Sequence, residues 1–263
     1  MTLQTPLVSC LMIAGANPEH ASRAVFCYQQ QNWERKELIV IDYGATDIAP
    51  LFEDIPSDEV RYIRASLDTG KQTMATLKNM GLDHANGEFV INWDECDWSH
   101  PERIRIQADA LTGEFDICWL GGTLLHLDHP EFVHHPYLDI PRNGYAGSLM
   151  HRNRQDKRYA ESKKDVDRLF ISNWDEDRCS QIGIDYSWLM VRSLAGETGT
   201  KSYKRFLSGF RNNIKDMARY TWLKIRGRSM VSHKRFKLTP EGRESIQKYL
   251  HESRRLGLIT SVS

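Results

Sequence analysis

The chain has 263 residues, 40% of them hydrophobic, with seven Trp and ten Tyr, enough for one large α/β domain or two small ones around a substantial core. Lys and Arg together match Asp and Glu at 35 each, and no stretch approaches the roughly 20 apolar residues that span a membrane. The balance hides an asymmetry: residues 201–263 carry 16 basic and 4 acidic side chains, residues 1–200 carry 19 and 31, so an acidic body and a basic tail face different partners or each other.

Leu7 to Ile13 is a short apolar run closed by Ala14-Gly15-Ala16-Asn17-Pro18, a strand and a turn. Ala21 to Gln31 reads as a helix. Glu37 to Asp42 is a second strand with no apolar–polar alternation, the pattern of a strand buried on both faces. Val60 to Arg64 is a third, and Thr73 to Ala85 places Met74, Leu77, Met80 and Leu82 at helical spacing. Phe89 to Trp93 is a fourth strand, followed by a polar turn and a helix from about Pro101 to Leu111. Beyond it, Phe115 to Leu120 reads as a strand, Leu124 to Pro141 as irregular, Gly147 to Arg152 as a strand, Val166 to Trp174 as a helix and Ser187 to Arg192 as a strand. In the tail, Leu207, Phe210, Ile214, Met217, Trp222 and Ile225 outline an amphipathic helix with basic flanks. Strands separated by helix-length segments predict right-handed crossovers and a mainly parallel sheet.

The turn after the fourth strand is the most informative segment. Asp94, Glu95 and Asp97 fall within four residues, at the carboxyl end of a strand, where open α/β sheets bind ligands. Clustered hard oxygen donors suit Mg²⁺ or Mn²⁺, which commonly arrives with substrate phosphates. The plain alternative is a polar turn that caps a helix.

Five cysteines (Cys10, Cys27, Cys96, Cys118 and Cys179) are scattered without a C-x-x-C pair. This argues against a disulfide framework or zinc site and for a reducing compartment. Met1 to Pro6 lacks the basic and apolar regions of a signal peptide. The expected location is the cytoplasm, with peripheral contact at the inner membrane face if the tail reaches a membrane.

Four ordered segments together resemble the family 2 glycosyltransferases of the GT-A fold, over roughly residues 6 to 200. Pro6-Leu7-Val8-Ser9 opens the first strand as in that family. Leu38 to Asp47 is similar to its hydrophobic strand ending in D-x-G-S-T-D. Lys78 to Phe89 is similar to R-N-x-G-x-x-x-A-x-G-E-Y/F, and Trp93 to Arg103 to D-x-D-D-W-x-x-P-E-R. The resemblance implies a GT-A-like, Rossmann-type α/β domain over residues 1–200, with a nucleotide-sugar half to about 100 and an acceptor half beyond. Residues 201–263 form a basic helical extension.

The implied reaction moves a sugar from a nucleotide diphosphate, UDP by family habit, to an acceptor hydroxyl with inversion. The acceptor would be a saccharide or lipid-linked molecule. Such chemistry needs a divalent cation on the leaving diphosphate and a carboxylate base for the hydroxyl. By resemblance Asp42 accepts from the nucleobase, Lys78 stands near base or phosphate, Asp94 lies near ribose and metal, and Asp97 ligates Mg²⁺ or Mn²⁺. Asp165, in Lys163-Lys164-Asp165-Val166-Asp167, takes the position of the base; Asp175-Glu176-Asp177 is its rival, read as a solvated loop. The chain departs from the pattern at Cys96, where an acid is usual, at Lys164, where a Glu is usual, and at Ser193, where a metal-binding His is usual. A thiol is a poor Mg²⁺ ligand, and Glu95, next to it on extended chain, points to the opposite side. These departures support an alternative: a catalytically impaired nucleotide-sugar-binding scaffold of a polysaccharide assembly.

His126, His129, His134 and His135 lie in the irregular segment without metal-site spacing and read as an acceptor-side loop. Trp98, beside the acids, is a candidate to stack on a sugar ring, the other tryptophans being core or rim. The basic tail fits a membrane surface or an anionic acceptor, or packs on the acidic body; no nucleic-acid motif accompanies it. A nucleotidyltransferase would want a basic Gly-rich loop after the first strand, and Ala14 to Asn17 has no Lys or Arg.

Overall fold

A computed structural model describes residues 5–15, 17–65, 73–127, 132, 135–162, 165–193, 206 and 214–259. Strand β1 (Val8–Ala14) leads to helix α1 (Pro18–Gln29), β2 (Lys36–Asp42), β3 (Val60–Arg64), α2 (Met74–His84) and β4 (Phe89–Asn92). There follow β5 (Asp97–Ser99), α3 (Arg103–Leu111), β6 (Ile117–Leu120), β7 (Thr123–His126), β8 (Tyr137–Asp139), β9 (Tyr145–Arg152) and α4 (Val166–Ile171). The described chain ends with β10 (Cys179–Ile182), β11 (Met190–Ser193), α5 (Ile214–Ile225) and α6 (Pro240–Arg255).

Seven strands form one sheet in the order β10-β6-β9-β4-β1-β2-β3. Its pairs are parallel except those of β9, which runs antiparallel to both β4 and β6. A smaller sheet, β5-β11-β7-β8, sits beside it. Helices cover both faces of the large sheet, so Leu38 to Ile41 are fully buried although they alternate between faces.

The sequence motifs mostly build the frame. The buried Glu37 carboxylate accepts from the Ser9 hydroxyl (2.6 Å), the Asn86 N–H (2.6 Å) and the Gly87 N–H (3.2 Å). A Cβ on Gly87 would lie 2.6 Å from the Ser9 nitrogen, so only glycine lets these backbones meet. The amino ends of β1, β2 and β4 are thus tied together, and their carboxyl ends carry the polar turns. Arg103, fully buried, clamps both sides of the acidic turn by donating to the Asn92 carbonyl and the Ser99 hydroxyl, each at 2.8 Å.

Several elements depart from the sequence expectation. Helix α1 begins at Pro18 because the Asn17 side chain caps Glu19 and His20 N–H groups. The acidic turn contains a strand, β5, and the His- and Pro-rich segment read as irregular contains β7 and β8. A 3₁₀ helix, Ile184–Leu189, occupies the first half of the expected last strand, and β11 the second. Strand β10 was not anticipated, and helix α6 lies in the extension expected to be helical, beyond the one helix outlined there. Helix α6 packs behind the acidic turn: Ile246 and Tyr249 join the main core, Glu252 accepts from the Trp98 indole (2.6 Å) and Ser253 from Arg23 (2.9 Å).

Candidate active site

A cavity of about 780 Å³ opens at the carboxyl ends of β1 and β4, lined among others by Lys78, Asp94, Tyr145, Asp165, Asp167 and Arg192. Strand β4 ends at Asn92, and the chain then turns so that Asp94 is exposed at the cavity wall. The Asp94 carboxylate accepts from the Cys96 N–H at 2.9 Å. That bond fixes the turn and leaves carboxylate capacity toward the cavity.

Asp97, three residues on, is only 5% exposed and is not part of the cavity lining. Its carboxylate accepts from the Tyr145 hydroxyl at 3.3 Å. Burial, then the negative charge of Asp94, pushes its pKa up to about 7 against the pull of Arg192, Arg103 and Arg23. Arg192 stands directly across the β5–β11 pair from Asp97, stacks 3.8 Å from the Tyr145 ring centre and pairs with Asp139 at 3.0 Å. Burial alone would lower the Arg192 pKa, but Tyr145, Asp97 and Asp139 raise it, so it is a fixed cation in the cavity wall.

Asp94 and Asp97 are hard donors whose charges repel, a combination a divalent cation relieves. Cys96 does not join them: burial and the neighbouring acids push its thiol up to about 12, so it stays protonated. Among the described residues no group of three or more His, Cys, Asp or Glu side chains is arranged to hold a metal. Asp94 is the carboxylate that faces the cavity, where a Mg²⁺ or Mn²⁺ would need further oxygen ligands such as substrate phosphates, and Asp97 would support it from behind the wall.

On the far side of the Asp94–Glu95 step lies a smaller pocket of about 150 Å³, lined by Gly15, Asn17, Asp42, Gly44, Thr46 and Glu95 among others. Glu95 faces this side and accepts from the Gly15 N–H at 3.2 Å. Asp42 is fully buried and accepts from the Gly44 N–H (2.8 Å), the Tyr62 hydroxyl (2.5 Å) and Arg64 (2.6 Å). The turns after β1 and β2 touch here: a Cβ on Gly44 would sit 2.9 Å from the Gly15 Cα.

Lys78, on α2, reaches across to pair with Asp167, which also accepts from the Asn92 amide at 3.1 Å. Tyr159 donates to Asn92 at 3.1 Å and lies under the Lys78 ammonium at 5.0 Å. Asp165 precedes α4 in a left-handed conformation (φ 56°, ψ 34°) with no capping bond from its side chain, the sole non-glycine residue at positive φ among those described. Such a backbone is costly without a side-chain partner to explain it, and is met at functional positions. Asp165 is exposed and lines the large cavity.

The structure thus brings Lys78, Asp94 and Asp165 to one cavity, places Asp42 in the adjoining pocket and sets Asp97 behind the wall. Trp98, expected as a sugar platform, is 1% exposed and is a core residue held by Glu252. His126, read as loop, is buried in β7 with Tyr249 at 3.0 Å; His129 and His134 lie outside the described residues, as do Lys163 and Lys164. Asp175, Glu176 and Asp177 are exposed and stand at a 3₁₀ turn. Arg192, Tyr145 and Asp167 were not singled out. Asp167 lay inside the segment quoted for the base and Arg192 at the end of the expected last strand, whereas nothing local to Tyr145 marks it.

No protein-family profile matches the chain. A Bacillus subtilis protein named glycosyltransferase EpsH is 22% identical over 116 residues, covering 44% of this chain and 33% of the relative. An uncharacterized glycosyltransferase of Haemophilus influenzae is 22% identical over 133 residues, 48% of this chain and 53% of the relative. The chain therefore spans between a third and about half the length of the curated relatives it matches. Among solved structures, the mannosyltransferase PcManGT of Pyrobaculum calidifontis, in complex with GDP-Man and Mn²⁺, superposes with TM-score 0.57 at 13% identity, covering 81% of this chain and 65% of that one. S. aureus TarS 1-349 with UDP-GlcNAc gives 0.53 at 16% identity, covering 74% and 61%. Glucosyl-3-phosphoglycerate synthase of Mycobacterium tuberculosis, with Mn²⁺ and UDP, gives 0.50 at 15%, covering 68% and 70%. The chain has the GT-A fold, a mixed α/β architecture with a large central sheet flanked by helices, and the resemblance to glycosyltransferases holds in both sequence and fold.

Proposed function

We propose that this protein is an inverting glycosyltransferase that moves a sugar from a nucleoside diphosphate sugar, a UDP-sugar, to an acceptor hydroxyl in polysaccharide or glycoconjugate synthesis. The observation that carries the reading is the large cavity, where Asp94 at the end of β4 and Asp165, whose side chain makes no capping bond to α4, share one space with the Arg192 cation. Asp165 would take the proton of the acceptor hydroxyl as its oxygen bonds to the anomeric carbon. The bond from that carbon to the diphosphate breaks on the opposite face, which inverts the centre and leaves negative charge on the diphosphate. Arg192 faces that charge from the wall. Asp94, supported by Asp97, would hold Mg²⁺ or Mn²⁺, which when bound neutralises the same charge. Asp42, with its partners on Tyr62, Arg64 and Gly44, would present its remaining acceptor capacity to the nucleobase in the small pocket. Lys78 would orient Asp167 and Asn92 beneath the donor.

Uridine nucleotides accompany two of the three structural neighbours and GDP-Man the third, so the base is tested directly. Calorimetric titration of UDP, with GDP as control, in Mn²⁺ and then in EDTA should show metal-dependent UDP binding. Screening UDP-sugars should then give turnover that Asp165→Asn removes without loss of UDP binding. Absence of binding to either nucleotide in a folded sample sinks the proposal.

A second reading, a nucleotide-sugar-binding scaffold without turnover, draws on the protonated thiol at Cys96 and the burial of Asp97. The double substitution Cys96→Asp and Ser193→His separates the two. A large gain in metal-dependent hydrolysis favours decay of the site; little change favours a site that already works.

Peripheral membrane contact is proposed through α5. Ile214, Trp222 and Ile225 are 86, 37 and 79% exposed, and Arg219, Arg226 and Arg228 surround the Trp222 ring at 4.4, 5.5 and 5.9 Å. An apolar stripe with basic flanks suits an anionic lipid surface. Among the described residues no helix is long and apolar enough to cross a membrane. Cosedimentation with vesicles rich in anionic lipid, lost in Trp222→Ala, tests the contact; equal sedimentation with neutral vesicles counts against it.

A further inference from the structure

A second cavity of about 700 Å³ adjoins the first, lined by Trp119, Trp174, Arg142, Arg168, Asn143 and Gln181 among others. Two features make it continuous with the catalytic space. Arg168, one helical turn beyond Asp165, lines both cavities. The turn from Pro141 to Gly144 is a shared wall: Pro141 and Gly144 line the first cavity, Arg142 and Asn143 the second. That wall is fixed. Gly144 donates to the Pro141 carbonyl at 3.1 Å, and the Trp119 indole donates to the Asn143 carbonyl at 3.0 Å. Gly144 has φ 66°, and a Cβ there would lie 2.6 Å from the Trp119 ring.

The chemistry of the lining is specific. The partly exposed Trp119 indole offers a flat apolar face, the buried Trp174 closes the floor, and Asn143 and Gln181 offer amides, the mixture of aromatic walls and few polar groups that orients a small ligand. Arg142 and Arg168 are exposed and make no ion pair with any described residue. Glu176 also lines the cavity, so two guanidinium groups face one carboxylate. Lys157 and Arg154 lie over the Trp174 ring at 5.2 and 5.9 Å, Arg154 being paired with Asp156 at 3.0 Å. Unpaired guanidinium groups beside a ligand space recognise carboxylate or phosphate by paired hydrogen bonds.

We infer that the second cavity is the acceptor subsite and that its occupant is an anionic saccharide, bearing a carboxylate or a phosphate, whose ring packs on Trp119 while Arg142 and Arg168 hold the charge. The placement of Arg168 delivers one of its hydroxyls to Asp165. The inference rests on the transferase reading for its purpose, though not for its geometry.

Binding without donor tests it on the full chain. Three probes are titrated: a hexose 6-phosphate, a uronic acid disaccharide and a neutral disaccharide, with UDP titrated in the same sample. At least one anionic probe should bind tenfold or more tighter than the neutral one, with affinity falling as salt rises. Arg142→Ala, at an exposed position, should lose about tenfold of that preference, and Trp119→Ala should weaken all saccharides alike. Which anionic probe wins distinguishes phosphate from carboxylate as the source of charge. Equal binding of charged and neutral probes, or a preference unmoved by Arg142→Ala, overturns the inference while leaving the transferase reading intact. Selective anionic binding in a sample that binds neither UDP nor GDP in Mn²⁺ upholds the subsite and overturns the transferase reading.

Discussion

The two halves of the cleft are held in different ways. On the side of β1, β2 and α2 the polar groups are locked into one another: Asp42 by three donors, Lys78 by Asp167, and Asn92 between Asp167 and Tyr159. On the side of α4 and the Pro141–Gly144 turn, Asp165 lacks a capping bond from its side chain, and Arg142 and Arg168 have no ion-pair partner among the described residues. A locked half binds a constant ligand with little reorganisation, while an unengaged half keeps its groups for the reacting atoms and for a variable partner. On the proposed reading, the contrast puts rigidity on the donor side and the reacting groups on the acceptor side.

The largest expected effect comes from the unengaged half. Asp165→Asn should lower turnover about 10²- to 10⁴-fold, the range for losing a general base, while UDP affinity by calorimetry stays within twofold. Full turnover in the variant would remove Asp165 from the chemistry and erase the contrast. Next is the seam between the halves. Tyr145→Phe removes the hydroxyl that supports Asp97, and should weaken Mn²⁺ affinity about 10- to 100-fold, as loss of a ligand-supporting partner does. Measured by metal titration in the presence of UDP, an unchanged affinity would take Asp97 out of the metal site.

Much of the donor side was legible in the sequence because its strands are buried on both faces and read as unbroken apolar runs, each ending in a polar turn. The Asn86-Gly87-Glu88-Phe89 motif was recognisable, although its physical role, a glycine that lets Glu37 tie three strands, appears only in three dimensions. The burial of Asp97 was not legible. It depends on Arg192 across a strand pair and on α6, whose Glu252 holds Trp98 from 154 residues away. Strands β7 and β8 hid in a His- and Pro-rich stretch because their pairing partners, not their composition, make them strands. Trp98 shows the same limit: beside three acids it resembles a sugar platform, and only the packing of α6 makes it core.

A smaller effect should separate the halves by stability. Lys78→Met leaves Asp167 with the Asn92 amide but without its cation, and should cost about 1–3 kcal/mol in denaturant unfolding. A loss below that range would mean the locked network contributes little beyond position.

The last effect is a response to acid, and it should be local. His151, on β9, is 1% exposed and packs against Phe170 and Trp174 at 4.8 and 5.7 Å. One ring nitrogen, Nδ1, lies 2.9 Å from the Arg152 carbonyl and donates to it; Nε2 is buried with no partner among the described residues. Protonating Nε2 would place a charge among aromatic rings, so burial lowers the His151 pKa from the usual 6.5 to about 4. Between those values the unfolded chain binds a proton that the folded chain refuses. Stability from this group is therefore full above about 6.5 and falls as pH drops toward about 4, by up to about 1.4 kcal/mol per pH unit. Because Phe170 and Trp174 belong to α4 and the segment beside the second cavity, acid should loosen the acceptor side first. Hydrogen exchange at pH 7.5 and 5.0, corrected for intrinsic rates, should show amides of β9 and α4 losing protection before those of β1 and β2. Uniform loss across the sheet would mean that the two halves open as one unit, and that the difference between them is confined to side chains.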